Sequence, residues 1–238
     1  MQALTRLSMV GCVIVFFLGC IKEHPHANWV RGAVIEQIDL RSYPYAKTFT
    51  EFAACLPELK AHGITAVDLM PIYSIGEFNR SSAAGTLTSI RDYYDVNNEF
   101  GTLSDFQLLV RTAHRYNIKI LVDFVAAYTS WDCNILMEHP DWYIRNDDDY
   151  IISPKAERTD VAALNLHHHE AKKYVIAAME YWLTSADIDG YRCIDARMVP
   201  KKFWEIARAQ LEQIKPVMLV SDSTMFSCVA FDTVLSGK

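Results

Sequence analysis

The sequence predicts an α/β protein, a parallel sheet covered by helices. Three observations predict it. Apolar segments of strand length alternate with amphipathic segments of helix length from residue 33 to residue 222. The strand segments are apolar on both faces, as strands buried between helix layers are. Polar residues gather at their carboxyl ends, in "DFVAAYTS", "CIDARMV" and "VSDST", where parallel α/β folds carry their sites. The residues alone leave two architectures open, a (β/α) barrel and an open doubly wound sheet. No glycine-rich phosphate loop follows the first strand, which disfavours the dinucleotide-binding form of the second.

The elements follow in order. "AVIEQIDLR" reads as a strand starting near Ala33. "TFTEFAACLPELKAHG" reads as a helix, with Phe49, Phe52, Leu56 and Leu59 at helical spacing and Gly63 as its stop. "ITAVDLMPIY" is a second buried strand, from near Ala66, closed by Pro71. "TLSDFQLLVRTAHRYN" is a helix capped by Ser104 or Thr102. "IKILVDFVA" is a strand from near Lys119. "EAKKYVIAAMEYWLTSADI" is a helix with Val175, Met179 and Trp182 on one side. "DGYRCID" is a strand from near Gly190, "VPKKFWEIARAQLEQIK" a helix with Pro200 in its first turn, and "PVMLVSD" a strand from near Val217.

The amino terminus is a separate object. "MQALTRLSMVGCVIVFFLGC" carries one positive charge, Arg6, and then an apolar run from Leu7 to Leu18. That run is short for a membrane span, and residues 1–19 read as a secretory signal peptide. The closing "FLGC" is similar to the lipobox of bacterial lipoproteins, which makes Cys20 the lipidated first residue of the mature chain, residues 20–31 a tether, and the expectation a membrane-anchored lipoprotein secreted across the inner membrane. A plain signal peptide or a short anchor is the simpler alternative.

The whole chain has 238 residues, 51% hydrophobic and 22% charged, which suits one globular domain over residues 32–238. Its net charge of −6 argues against nucleic acid, which needs a basic face. Cys12 and Cys20 belong to the leader. Cys55, Cys133, Cys193 and Cys228 are widely spaced and read as core thiols, neither a zinc site nor a disulfide framework. "HHH" at 167–169 reads as a solvated turn, since adjacent residues of an extended segment point different ways, and no metal is expected there. "NDDDY" at 146–150 lacks the spaced ligands and glycine of a calcium loop and reads as an exposed acidic turn. Trp131, Trp142 and Tyr143 suit sugar stacking and core anchoring equally well. Glu36 and Asp39 lie in the first strand without an identified partner.

The stretches "SIRDYYDVNNEFGTLSDFQLLVRTAHRYNIKILVDFV", "HPDWY" and "DIDGYRC", with "FW" after the fourth of the strands, together resemble the α-amylase family of glycoside hydrolases over about residues 32–232. The resemblance implies a partial (β/α)8 TIM-type barrel of about five to six of the eight strand–helix units, with open sheet edges. It implies α-linked glucan or oligosaccharide as ligand. It also implies a retaining mechanism with an aspartate nucleophile and a glutamate general acid/base, their carboxyls about 5 to 5.5 Å apart.

Position by position, the resemblance carries departures. Asp123 matches the family's aspartate after the third strand, but the asparagine that commonly ligates calcium is Ala127 and the sugar-binding histidine is Tyr128. Ala127 has no side-chain oxygen, so the family's calcium site is expected to be lost and no cofactor is expected. The stacking tyrosine of the preceding loop falls at Thr88. Arg192 matches the arginine of the fourth strand, and two residues on, where the nucleophile belongs, stands Ile194. Asp195 is one further, so strand parity turns it toward the helix layer, away from Arg192, unless a β-bulge near Cys193 intervenes. The general acid position is Ser221, with Asp222 again one residue off.

Catalytic residues are therefore none intact, with Asp195 and Asp222 as the displaced candidates and Asp123, Tyr128 and Arg192 as substrate-binding candidates. The expected function is that of an inactive or truncated α-amylase-type barrel, kept as a sugar-binding or scaffold-type surface lipoprotein or as the remnant of a decaying gene. The alternative is an active retaining hydrolase using Asp195 and Asp222. Open edges also predict self-association or a protein partner.

Overall fold

A computed structural model describes residues 27–80, 82–223 and 230–232. The leader, Cys20, most of the tether and Cys228 lie outside the described residues.

Five strands build one sheet: β1 (Ile35–Ile38), β2 (Ala66–Leu69), β5 (Lys119–Val125), β8 (Gly190–Ile194) and β9 (Met218–Ser221). They lie side by side in that order, and every neighbouring pair is parallel. The crossovers carry α1 (Phe49–Ala61), α2 (Leu103–Arg115), α4 (His169–Ser185) and α5 (Lys201–Ile214), with a short α3 (Asn134–Glu138). This is part of a (β/α) barrel, and it settles the choice that the residues alone left open.

The helix starts follow capping chemistry. Thr48 accepts the Glu51 N–H while the Glu51 carboxylate accepts the Thr48 N–H, and Thr102 forms the same reciprocal pair with Asp105. Thr102, not Ser104, is the cap of α2. Helix α1 packs on α2, and α4 on α5.

Period-two alternation splits each strand between two environments. One face, with Val67, Leu69, Ile120, Val122, Phe124, Tyr191, Cys193 and Leu219, joins the large core under the helices. Tyr73 meets Tyr93, Phe124 and Trp182 there edge to face, Tyr93 stacks on Phe124, and the Trp182 indole donates to the Tyr93 carbonyl at 2.7 Å. Full burial of each such ring contributes on the order of 2 kcal/mol. The other face is the barrel interior. Its lower layer is apolar: Ala66, Leu121 and Met218 with Ile35, Val220, Trp29 and Val30. Its upper layer is charged, with Asp68, Asp123 and Arg192. Strands β8 and β9 approach so closely that a Cβ on Gly190 would collide with the Met218 carbonyl oxygen.

Two expectations are corrected. The first strand begins at Ile35 rather than Ala33, because Gly32, at φ 81°, turns the chain and Ala33 donates back to the Val30 carbonyl. The run 64–73 is not one strand. Strand β2 ends at Leu69, and after Pro71, which has no N–H for a ladder, Tyr73 opens β3 (Tyr73–Ile75). That strand pairs antiparallel with β4 (Ile90–Val96) in a separate ribbon. A second ribbon, β6 (Tyr128–Ser130) with β7 (Val161–Ala163), stands beyond β5. The sequence reading foresaw neither ribbon.

Cys133 and Cys193 are buried free thiols and Cys55 is half-buried, as the core-thiol reading requires. Asn146–Tyr150 is an exposed turn closed by its own backbone, with Tyr150 N–H on the Asn146 side chain. His167 lies in the turn before α4, and His168 and His169 form the start of that helix.

Candidate functional site

The site begins with a register. Parallel pairing of β5 with β8 sets Asp123 opposite Arg192 on the inner face. The Arg192 Nη1 lies 3.2 and 3.3 Å from the two Asp123 oxygens and 3.6 Å from Asp68 Oδ2. Asp123 and Asp68 are 1% and 3% exposed. Two buried carboxyls thus face one guanidinium. Burial pushes Asp123 up to about 6 against the lowering pull of Arg192. Burial, then the Asp123 charge, pushes Asp68 well above the usual carboxylate range. Both carboxyls therefore stand above the usual carboxylate range in the folded chain. Asp68 Oδ1 has no hydrogen-bond partner among the described residues. Of the predicted binding residues, Asp123 and Arg192 are brought together here. Asp68 was missed, and an acid inside the apolar run "ITAVDLMPIY" was the available signal.

Asp195 does not turn toward the helix layer, and no bulge is involved. Strand β8 keeps its register through Val125↔Ile194 on one side and Cys193↔Ser221 on the other. Asp195 follows the strand end at φ 51°, ψ 34°, in the left-handed region, and leads into a 3-10 turn at Ala196–Met198. Parity arguments hold only for extended backbone, and a left-handed residue resets the side-chain direction. Aspartate is among the few residues that adopt this conformation readily. The result is a carboxylate on the strand-end rim. Its Oδ2 accepts the Tyr128 hydroxyl at 2.8 Å and its Oδ1 accepts Lys155 Nζ at 2.8 Å.

The second candidate holds this turn in place. Asp222 Oδ2 accepts the Asp195 N–H at 2.9 Å, Asp222 Oδ1 accepts the Ala196 N–H at 3.4 Å, and the Asp222 N–H returns to the Cys193 carbonyl at 3.1 Å. Both oxygens of Asp222 thus serve backbone donors.

Tyr128, at the start of β6, is buried and pairs with Ala163. Burial pushes its phenol up to about 12. The Arg158 guanidinium lies 5.0 Å over its ring, with Nη1 3.3 Å from the hydroxyl, while Asp160 holds the other guanidinium nitrogens at 2.9 and 3.2 Å. For Asp195, burial raises the carboxyl, but the bonds from Lys155 and Tyr128 and the Lys155 charge outweigh it and hold the group below its usual range. Lys155 and Arg158 come from the segment between β6 and β7, whose Ser153 hydroxyl donates to the carbonyls of both residues. The sequence reading did not single out either cation.

The remaining positions fall as follows. Ile194 and Ser221 are half-buried, and the Ser221 hydroxyl accepts the Ser223 N–H at 3.1 Å. Ala127 is 6% exposed and its carbonyl accepts the Leu164 N–H, so residue 127 presents nothing that fits a hard cation. Thr88 is half-buried. Trp142 and Tyr143 are buried, Trp142 stacked on His139 and Tyr143 bonded to the Thr129 hydroxyl, which makes both anchors of the core. Half-buried Trp131 donates to the Thr159 carbonyl. Glu36 is exposed, and Asp39 caps the turn after β1 through the Arg41 N–H.

Comparison with known proteins agrees with this fold. The family model for the α-amylase catalytic domain matches residues 53–162. An α-amylase from Lactobacillus plantarum superposes with a TM-score of 0.78 at 34% identity, covering 82% of this chain and 46% of that one. A maltogenic α-amylase, AmyB from Thermotoga neapolitana, gives 0.75 at 33%, covering 79% and 45%. In sequence, α-amylase 3 of Dictyoglomus thermophilum is 24% identical over 249 residues, covering 88% of this chain and 47% of its own. The chain thus spans less than half the length of these three relatives.

Proposed function

We propose, for a chain that belongs to the α-amylase family and corresponds to part of its catalytic barrel, a role in α-glucan recognition without glycosidic bond cleavage. The observation that carries this reading is the double engagement of Asp195 by Lys155 and Tyr128. A retaining mechanism needs a free carboxylate at the anomeric carbon and a second carboxyl that donates a proton to the leaving oxygen. Asp195 is held by an ammonium and a phenol, Asp222 is spent on backbone N–H groups, and the strand positions that would carry the pair hold Ile194 and Ser221. What persists is the Asp123–Arg192 pair at the floor of the site.

The test is reducing-sugar release from starch and maltooligosaccharides. Release at the level of buffer alone is expected. Release well above it, lost in Asp195→Asn and in Asp222→Asn, would favour the alternative of an active hydrolase using those two carboxylates.

Two further parts of the reading rest on sequence and residue chemistry. Ala127 leaves no calcium ligand, so EDTA is expected to leave the melting temperature unchanged. Lipidation at Cys20 would hold the barrel at a membrane surface, and incorporation of labelled fatty acid, lost in Cys20→Ser, would test it.

A further inference from the structure

A cavity of about 590 Å³ opens beside the β3–β4 ribbon, and none of Asp68, Asp123, Tyr128, Arg192 or Asp195 lines it. Its volume falls within the roughly 300–1,000 Å³ of small-molecule sites. The frame is built by internal bonds. Arg41, at 17% exposure, grips both oxygens of Glu99 through Nε at 3.1 and 2.9 Å and the Gly85 carbonyl through Nη1 at 2.8 Å. Buried Asn97 accepts the Glu99 N–H at 3.1 Å. Inside this frame stand two exposed side chains: the Asn98 amide and the Arg91 guanidinium, whose charge also acts on the Asp132 carboxylate.

The chemistry of the lining selects a ligand class. Three arginines and four carboxylates share the cavity, so an ion of either sign meets repulsion as well as attraction. A neutral ligand rich in hydroxyls meets neither. Planar guanidinium, amide and carboxylate groups bond adjacent hydroxyls in pairs, donating from Arg91 and Asn98 and accepting at the carboxylates.

We propose that this cavity is a second site, separate from the strand-end rim, that binds a unit of a neutral oligosaccharide. The identity of that oligosaccharide as an α-glucan rests on the function proposed above, whereas the site itself does not.

The experiment is isothermal titration of the full chain with maltoheptaose, and with cellopentaose as a neutral saccharide outside the α-glucans, repeated on Arg91→Ala with Asn98→Ala. Both residues are exposed, and an unchanged melting temperature verifies the fold; if the double variant melts early, Asn98→Ala alone gives the same reading. An association weakened at least tenfold for maltoheptaose supports the site. Undiminished maltoheptaose binding in the variant overturns the site and leaves the α-glucan reading standing. Binding of cellopentaose alone, weakened in the variant, supports the site and ends the α-glucan reading. Binding of neither saccharide to the unsubstituted chain overturns the inference.

Discussion

The hydroxyl of Tyr128 donates to Asp195 at 2.8 Å, although 67 residues separate the two in the chain. This bond joins the start of β6 to the turn beyond β8, and so fixes the rim. Tyr128→Phe keeps the ring under Arg158 and removes only the donor. Its expected cost is about 1 kcal/mol, a modest fall in the urea midpoint at unchanged slope. Lys155→Ala is expected to cost less than about 1 kcal/mol, because that ion pair is partly exposed.

Restoring the family's carboxylates is expected to fail. Ile194→Asp with Ser221→Glu supplies both groups in strand parity, but Lys155 and Arg158 still occupy the rim with Tyr128. Groups that act as a unit do not work in part. Hydrolysis of maltotriose by the double variant should stay on the order of 10³-fold below that of an intact relative. Turnover approaching that relative would show that the cations yield to substrate.

The acid pair under Arg192 gives a pH dependence of definite sign. Asp123 and Asp68 are both raised when folded, so the native state holds more protons than the unfolded chain once pH exceeds the ordinary value of about 4. Their contribution is complete below that value and is lost as pH rises through about 6 and beyond. The stability of the unsubstituted chain relative to Asp68→Asn should therefore fall between pH 4 and pH 7. Urea midpoints of the two proteins that move in parallel over that range would refute the raised Asp68 carboxyl.

Gly190→Ala tests the closeness of β8 to β9. The added methyl meets a backbone carbonyl, which moves only with its strand. A loss of roughly 1–3 kcal/mol or more is expected, read as a lower melting temperature or as failure to yield soluble protein.

Association is the last expectation. Among the described residues β1 and β9 each pair on one side only, and Glu36 and Gln37 of β1 are exposed. Light scattering of the chain with Cys20→Ser should report species larger than a monomer, growing with concentration.

Much of this fold was legible in the sequence, and the reasons are local. The strands at Ala66, Lys119 and Gly190 start where apolar runs follow a turn, and the caps at Thr48 and Thr102 are short-range chemistry. The ribbons were hidden because "SIRDYYDV" mixes polar and aromatic residues without a clean face, and because Pro71 ends one strand only four residues before Ile75 completes another. The direction of Asp195 was hidden for a different reason. Its left-handed conformation is set by Asp222, 27 residues away, and no count along the strand registers that. Lys155 and Arg158 share this limit, since their bonds to Asp195 and Tyr128 reach across 40 and 30 residues, whereas Asp68 carried a local signal as an acid in an apolar run.

The parallel register that brings Arg192 to Asp123 spans 69 residues of chain. Such pairing has a cost in time. Strands that meet only across long crossovers close large loops before any contact rewards them, so this sheet belongs with slowly assembling topologies, on millisecond to second timescales. The caps of α1 and α2 are local, but helices of 13 residues are marginal alone and gain stability by packing on each other. Until β8 arrives, Asp68 and Asp123 have no guanidinium and remain hydrated on an exposed sheet face. The pairing of β8 with β5 is therefore expected to be among the later steps of assembly, and amide exchange during refolding should show Arg192 and Cys193 protected after the helices.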